Sequence, residues 1–204
     1  MTSALTIGIT GGIGSGKSVV SRVLRCNGFP VYDCDSEAKR IMVRNSNVKD
    51  TLKRELGEEI YNYDGQLNRS KLAESLFSDE KIRKFVNGVV HKAVIEDIHK
   101  QRKKTVGRFF IESAILASSG IADFCNDIWF VVSPLEIRFE RIKKRDNTSI
   151  EHIENRIKSQ EMELNLIDKS KILILENDDT HPLLFKILEQ TEKINHNLNY
   201  TIIC

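Results

Sequence analysis

The chain has 204 residues, enough for one full α/β core with a modest insertion and too few for two independent domains. Its 31 basic and 29 acidic residues leave a formal net charge of +2 and are spread along the whole length, so the charge balance calls for neither nucleic acid nor a membrane surface. Cys26, Cys34, Cys125 and Cys204 follow no metal or disulfide spacing, the N-terminus has no basic leader, and no apolar stretch approaches the roughly 20 residues of a membrane span; a cytoplasmic protein with free thiols and no obligatory protein partner is expected.

The first predicted element is a strand over Leu5 to Thr10, and it runs directly into Gly11-Gly12-Ile13-Gly14-Ser15-Gly16-Lys17-Ser18. That run has the form G-x-x-x-x-G-K-[ST]. Glycines there let backbone N–H groups converge on phosphate oxygens, Lys17 places a point charge between the β- and γ-phosphates, and the Ser18 hydroxyl is the expected Mg2+ ligand. A helix follows through Val19 and turns its positive end toward the same anion. The expected ligand is ATP with Mg2+, held by Gly11 to Val19; a ligand-free glycine turn is the plain alternative.

A second strand, Phe29 to Asp33, ends in Asp33-Cys34-Asp35. In open α/β sheets ligands bind outside the carboxyl ends of strands, so a carboxylate here can take the proton of a substrate hydroxyl as a phosphoryl group arrives. Asp33 is assigned that role. Asp35 can contact Mg2+ through water or cap a helix beginning at Ser36.

From Ser36 to Thr105 helical patterns dominate, including Asp79 to Lys104 with Ile82, Phe85, Val86, Val89, Val90, Val94, Ile95 and Ile98 spaced by three and four. The gap is too long for a simple crossover and reads as a helical insertion that holds a second substrate. Within it, Asp64-Gly65 between Tyr61 and Leu67 can form a hairpin turn. Three further strands, Phe109 to Glu112, Ile128 to Val132 with Trp129 as core, and Ile172 to Leu175, complete a parallel sheet with helices on both faces. A last helix over His181 to Asn197 packs on it. Between the fourth and fifth strands, Arg138, Arg141 and Arg145 share one helix face, with Arg156 and Gln160 on the next helical pattern. Arginines so placed can close over a transferring phosphate as a lid, or form an ordinary solvated face with Glu140, Asp146, Glu151 and Glu154.

Several stretches resemble the dephospho-coenzyme A kinases. They are Thr10 to Ser18, Asp33-Cys34-Asp35 against the family's Asp-Ala-Asp, Asp64-Gly65-Gln66-Leu67-Asn68-Arg69 with Leu72, and Arg141, Arg145-Asp146, Arg156 and Gln160 in its lid pattern. The resemblance implies a phosphate-loop, nucleotide-kinase-like three-layer α/β sandwich with a five-stranded parallel sheet. Residues 1–35, 106–133 and 168–204 would be the nucleotide-binding core, 36–105 the acceptor subdomain and 134–167 the lid. It implies transfer of the γ-phosphoryl of ATP to the ribose 3′-hydroxyl of dephospho-coenzyme A, with Asp33 as base, Lys17, Arg141 and Arg145 as catalytic cations, and Asp33, Asp35, Arg69 and His91 on the acceptor side. The chain departs from the family at Lys92 after His91, at Glu112 to Ser118, and at Ser170-Lys171. On the residues alone, His91 can be a packing residue and Arg69 a first-turn helix residue. Another small-molecule kinase would share the loop; a GTP switch would need an Asp-x-x-Gly and an Asn-Lys-x-Asp that this chain lacks.

Overall fold

A strand buried on both faces is mostly apolar, and Leu5–Gly11 is such a strand: Ile7 and Ile9 are fully buried, as are its two polar residues, Thr6 and Thr10. In the structure, a computed structural model that describes residues 4–146, 157 and 163–201, this strand (β1) is central in a five-stranded sheet. The others are β2 (Val31–Asp33), β3 (Arg108–Glu112), β4 (Asp127–Val132) and β5 (Ile172–Glu176), in the order β2-β3-β1-β4-β5. β1 pairs in parallel with β3, Ile7 opposite Phe110, and with β4, Ile9 opposite Trp129; β4 pairs in parallel with β5. All five expected strands are present.

The expected second strand begins two residues later than the sequence pattern, at Val31. Pro30 has no N–H to give to a ladder, although its carbonyl still accepts from the Phe110 N–H at 3.1 Å. Phe29 serves the core with its ring instead, 5.6 Å edge-on to Phe110, which in turn meets Trp129 at 5.4 Å. Val20 and Leu24 of α1 (Lys17–Cys26) and Leu183 and Ile187 of α7 (Leu183–Thr201) join this cluster with Ile7, Ile9 and Val131. Trp129, 1% exposed, is core as expected.

One buried charge ties α7 to the sheet. Arg108, at the start of β3, donates to the Thr191 carbonyl at 2.8 Å and lies 4.5 Å over the Phe29 ring. Burial holds its guanidinium below the usual arginine range, and the carbonyl and the ring face compensate for the lost water.

The chain divides into two compact units, Met1–Tyr32 with Thr105–Cys204, and Asp33–Lys104. The second unit consists of α2 (Cys34–Arg44), α3 (Ser46–Leu56), α4 (Arg69–Ser78) and α5 (Glu80–Lys104). Polar side chains set its helix starts. Asn45 accepts from the Val48 N–H and Asn68 from the Lys71 N–H, each at 3.2 Å. The cap at the start of α2 corrects the sequence expectation. It is Asp33, accepting from the Ser36 N–H at 3.1 Å, while Asp35 lies inside the first turn. Asp33 wins because it has the extended backbone that a cap requires, φ −93° and ψ 104°, as the last residue of β2.

Asp64-Gly65 does form a small hairpin. Tyr61 pairs antiparallel with Leu67, the Asn62 N–H donates to Gln66 at 2.8 Å, and the three-residue loop Tyr63-Asp64-Gly65 ends with Gly65 at φ 78°. Tyr61 is buried beneath it and donates to the Met42 carbonyl at 2.7 Å, and burial pushes its hydroxyl up to about 12. Val86, Val90, Val94 and Ile98 form the buried stripe of α5, and an Arg40–Asp97 ion pair at 3.2 Å joins α2 to it.

Phe110 touches two rings and has no exposed surface, so Phe110→Ala should lower the unfolding free energy by about 3–5 kcal/mol through lost transfer and an unfilled cavity. Urea denaturation of the two proteins measures this, and a loss under about 1 kcal/mol would show the ring cluster to be peripheral.

Candidate active site

β1 hands the chain to the loop at Gly11, and α1 starts at Lys17 with Gly16 as its N-cap in the left-handed region, φ 99°. No side chain caps this helix, so its first N–H groups have no partner from a capping residue and are available to an anion. The Lys17 ammonium folds back over the loop and donates to the Gly11 carbonyl at 2.8 Å and the Gly12 carbonyl at 3.1 Å. The Ser15 N–H closes a turn on the same Gly12 carbonyl at 3.1 Å.

The next three carbonyls of the loop are met from outside it. Arg138 Nε on α6 (Leu135–Asp146) donates to the Ile13 carbonyl at 2.9 Å. Arg141 Nη1 reaches the Gly14 carbonyl at 3.2 Å and the Ser15 carbonyl at 3.4 Å, and Asn177 Nδ2 also donates to Ser15, at 2.8 Å. Arg141 is itself held by Asp179 at 2.5 Å, by the Ser133 hydroxyl at 3.3 Å and by the Asn177 side-chain oxygen at 3.4 Å. A loop whose carbonyls are occupied on its outer side presents its N–H groups on the inner side, which is the arrangement a polyphosphate needs. Ile13 anchors the loop further by packing on Ile142, Ile157 and Phe139.

The turn that carries Asn177 and Asp179 has its own brace. Asp178 accepts from the His181 ring at 2.7 Å and from the N–H groups of His181 and Thr180 at 2.9 and 3.1 Å. Those bonds, the His181 ring first, hold its carboxyl well below the usual carboxylate range. Asp179 follows at φ 62°, unusual for a residue other than glycine, and the Arg141 pair accompanies it.

The remaining expected residues fall on several elements. Ser18 is exposed in the first turn of α1, beside half-exposed Val19. Among the described residues no cluster of three His, Cys, Asp or Glu side chains forms a metal cage. Mg2+ asks for none, since it commonly keeps several waters and takes substrate phosphates with one or two protein oxygens, and the Ser18 hydroxyl fits that donor set. Arg145 is exposed in the last turn of α6, so Arg138 and Arg141 meet the loop while Lys143, Lys144 and Arg145 form the solvated part of the helix. In the second unit, Asp33 also accepts from the Ser36 hydroxyl at 2.8 Å, Asp35 is exposed, Arg69 is the exposed first residue of α4, and His91 is half-buried on α5. Arg156 and Gln160 lie outside the described residues.

Two features had little or no sequence signal. Asn177 follows the fifth strand and fits the family pattern there, but nothing in the sequence named its partners, and it joins Ser15 to Arg141. Glu163, 6% exposed, accepts from the Ala117 N–H at 2.9 Å and the Ser118 N–H at 3.3 Å, a long-range clamp that helical periodicity does not announce.

Comparison with known proteins identifies the family and the fold. A family model described as dephospho-CoA kinase matches residues 5–182. The dephospho-CoA kinase of Bacteroides fragilis is 40% identical over 202 residues, covering 97% of this chain and 96% of that protein. The crystal structure of TT1252 from Thermus thermophilus superposes with a TM-score of 0.77 at 30% identity, over 94% of this chain and 98% of that one. The dephospho-CoA kinase from Campylobacter jejuni shares the fold, with a TM-score of 0.69 at 22% identity over 94% and 99% of the two chains. The chain belongs to the dephospho-CoA kinase family, whose members phosphorylate dephospho-CoA with ATP in the last step of coenzyme A biosynthesis.

Proposed function

We propose that this protein transfers the γ-phosphoryl group of Mg2+-ATP to the ribose 3′-hydroxyl of dephospho-coenzyme A, releasing coenzyme A and ADP. The observation that carries the reading is the loop itself: a G-x-x-x-x-G-K-[ST] run at a strand-to-helix turn, with its outer carbonyls bound by Arg138, Arg141 and Asn177, in a chain of this family. Among the described residues, Cys26, Cys34 and Cys125 are in no disulfide, which supports placing the reaction in the cytoplasm. Among the described residues, no helix is long and apolar enough to cross a membrane.

In this mechanism the loop N–H groups and Lys17 bind the triphosphate, and positioning with charge stabilisation does most of the work, as is general for phosphoryl transfer. Mg2+, bound through Ser18 and phosphate oxygens, supplies neutralisation of the triphosphate charge. Asp33 receives the proton of the acceptor hydroxyl. Ser36 occupies two of the roughly four lone-pair sites of its carboxylate, which leaves acceptor capacity for the substrate. Arg141 and Arg145 stabilise the charge on the transferring group, Arg141 by exchanging its Asp179 and loop-carbonyl partners for phosphate oxygens. Asp35, Arg69 and His91 bind the acceptor.

Incubating the protein with Mg2+-ATP and, separately, dephospho-coenzyme A, adenosine, AMP and shikimate, while following ADP and product mass, tests the assignment. One added phosphoryl group on dephospho-coenzyme A alone is the expected result; transfer only to another acceptor would leave a kinase and discard the substrate. Asn is as good an N-cap as Asp, so Asp33→Asn should keep the start of α2 and nucleotide binding intact while depressing kcat by about 10²–10⁴-fold. Unchanged turnover would remove Asp33 from the base role. Lys17→Ala removes the one lysine that folds over the loop, and its KM for ATP should rise or its turnover collapse; full activity in a coupled ADP assay contradicts the loop assignment.

A further inference from the structure

We propose that Arg138 is a positioning residue for nucleotide binding: its guanidinium occupies the space beside Gly12 and holds the Ile13 carbonyl, so the phosphate loop keeps its shape only while α6 is seated against it. The inference rests on the loop being the nucleotide site. Three independent contacts support it. Arg138 Nε donates to the Ile13 carbonyl at 2.9 Å. A Cβ placed on Gly12 would lie 2.3 Å from Arg138 Nη2 and 2.7 Å from its Cζ, and its three nearest atoms all belong to that guanidinium. A Cβ on Gly14 would meet the Arg138 backbone, its carbonyl oxygen at 2.9 Å and its Cα at 3.1 Å.

Gly12 and Gly14 are therefore required for different reasons. Gly14 has φ 77° and faces backbone, so any side chain there is strained whatever stands at position 138. The φ of Gly12 lies outside the left-handed region, and the three atoms nearest its Cβ position are the flexible end of one side chain. An alanine at position 12 would thus fit by expelling the guanidinium. The Ile13 carbonyl would lose its charged donor, and the loop would lose the restraint that keeps it turned outward. Arg141 bonds to the neighbouring carbonyls of Gly14 and Ser15 and does not reach Ile13, so it does not replace Arg138.

The test is a double-mutant cycle on binding of Mg2+-ADP, measured by titration calorimetry, with KM for ATP alongside. Arg138→Ala and Gly12→Ala should each weaken ADP binding and raise KM for ATP about tenfold, the loss of one charge-assisted hydrogen bond, with the change in KM for ATP larger than any change in kcat. The double variant should bind no more weakly than either single one, because both remove the same contact. Gly14→Ala should weaken binding on its own, and Arg138→Ala should not relieve it. Arg138→Met keeps the apolar stem without the donor and repeats the test if the alanine variant does not fold. Unchanged ADP binding in Arg138→Met or Arg138→Ala overturns the inference, as do losses that multiply in the double variant. If the unaltered protein itself fails to bind Mg2+-ADP, the nucleotide reading falls and takes this one with it.

Discussion

The phosphate loop depends on where its carbonyls point. A run so rich in glycine has little conformational preference of its own, and a backbone free to turn its carbonyls inward would repel the anion it is meant to bind. Besides Lys17 within the loop, three side chains from outside remove that freedom: Arg138 at Ile13, Arg141 at Gly14 and Ser15, and Asn177 at Ser15. Each comes from beyond the fourth strand, so loop geometry is a property of the assembled sheet. The braces are braced in turn, Arg141 by Asp179 and the Asp179 turn by Asp178 and His181.

This dependence explains what could be read in advance. Strands buried on both faces are mostly apolar runs, and most of the five were visible as such, with only β2 shortened where Pro30 cannot join the ladder. The loop was legible because its chemistry is local, eight consecutive residues between a strand and a helix. Local chemistry also made the Asp64-Gly65 turn readable, since a three-residue hairpin loop needs a left-handed residue at its end. The cap of α2 was misplaced by two residues, from Asp33 to Asp35, because both carboxylates suit the job by type and only backbone geometry distinguishes them.

Partners far apart in the chain were not legible. Helix-face spacing grouped Arg138, Arg141 and Arg145 as one set of cations, but did not tell that the first two meet loop carbonyls while the third is exposed in the last turn of α6. Glu163 looked like any acidic residue in a helical pattern, and its burial against the Ala117 and Ser118 N–H groups depends on a fold-level contact. Arg108 is similar: a charge at the start of a strand is usually solvated, and this one is sheltered by Phe29 and the Thr191 carbonyl.

The bond from Asn177 to Ser15 joins positions 162 residues apart. A ribosome makes Ser15 early and Asn177 near the end, so on a nascent chain the Ser15 carbonyl has to wait for this partner. β5, which delivers Asn177, stands at the edge of the sheet, where β4 is its one strand partner. A chain released before residue 177 would carry the full glycine-rich run with the Ser15 carbonyl lacking its Asn177 donor, its loop held from outside by Arg138 and Arg141.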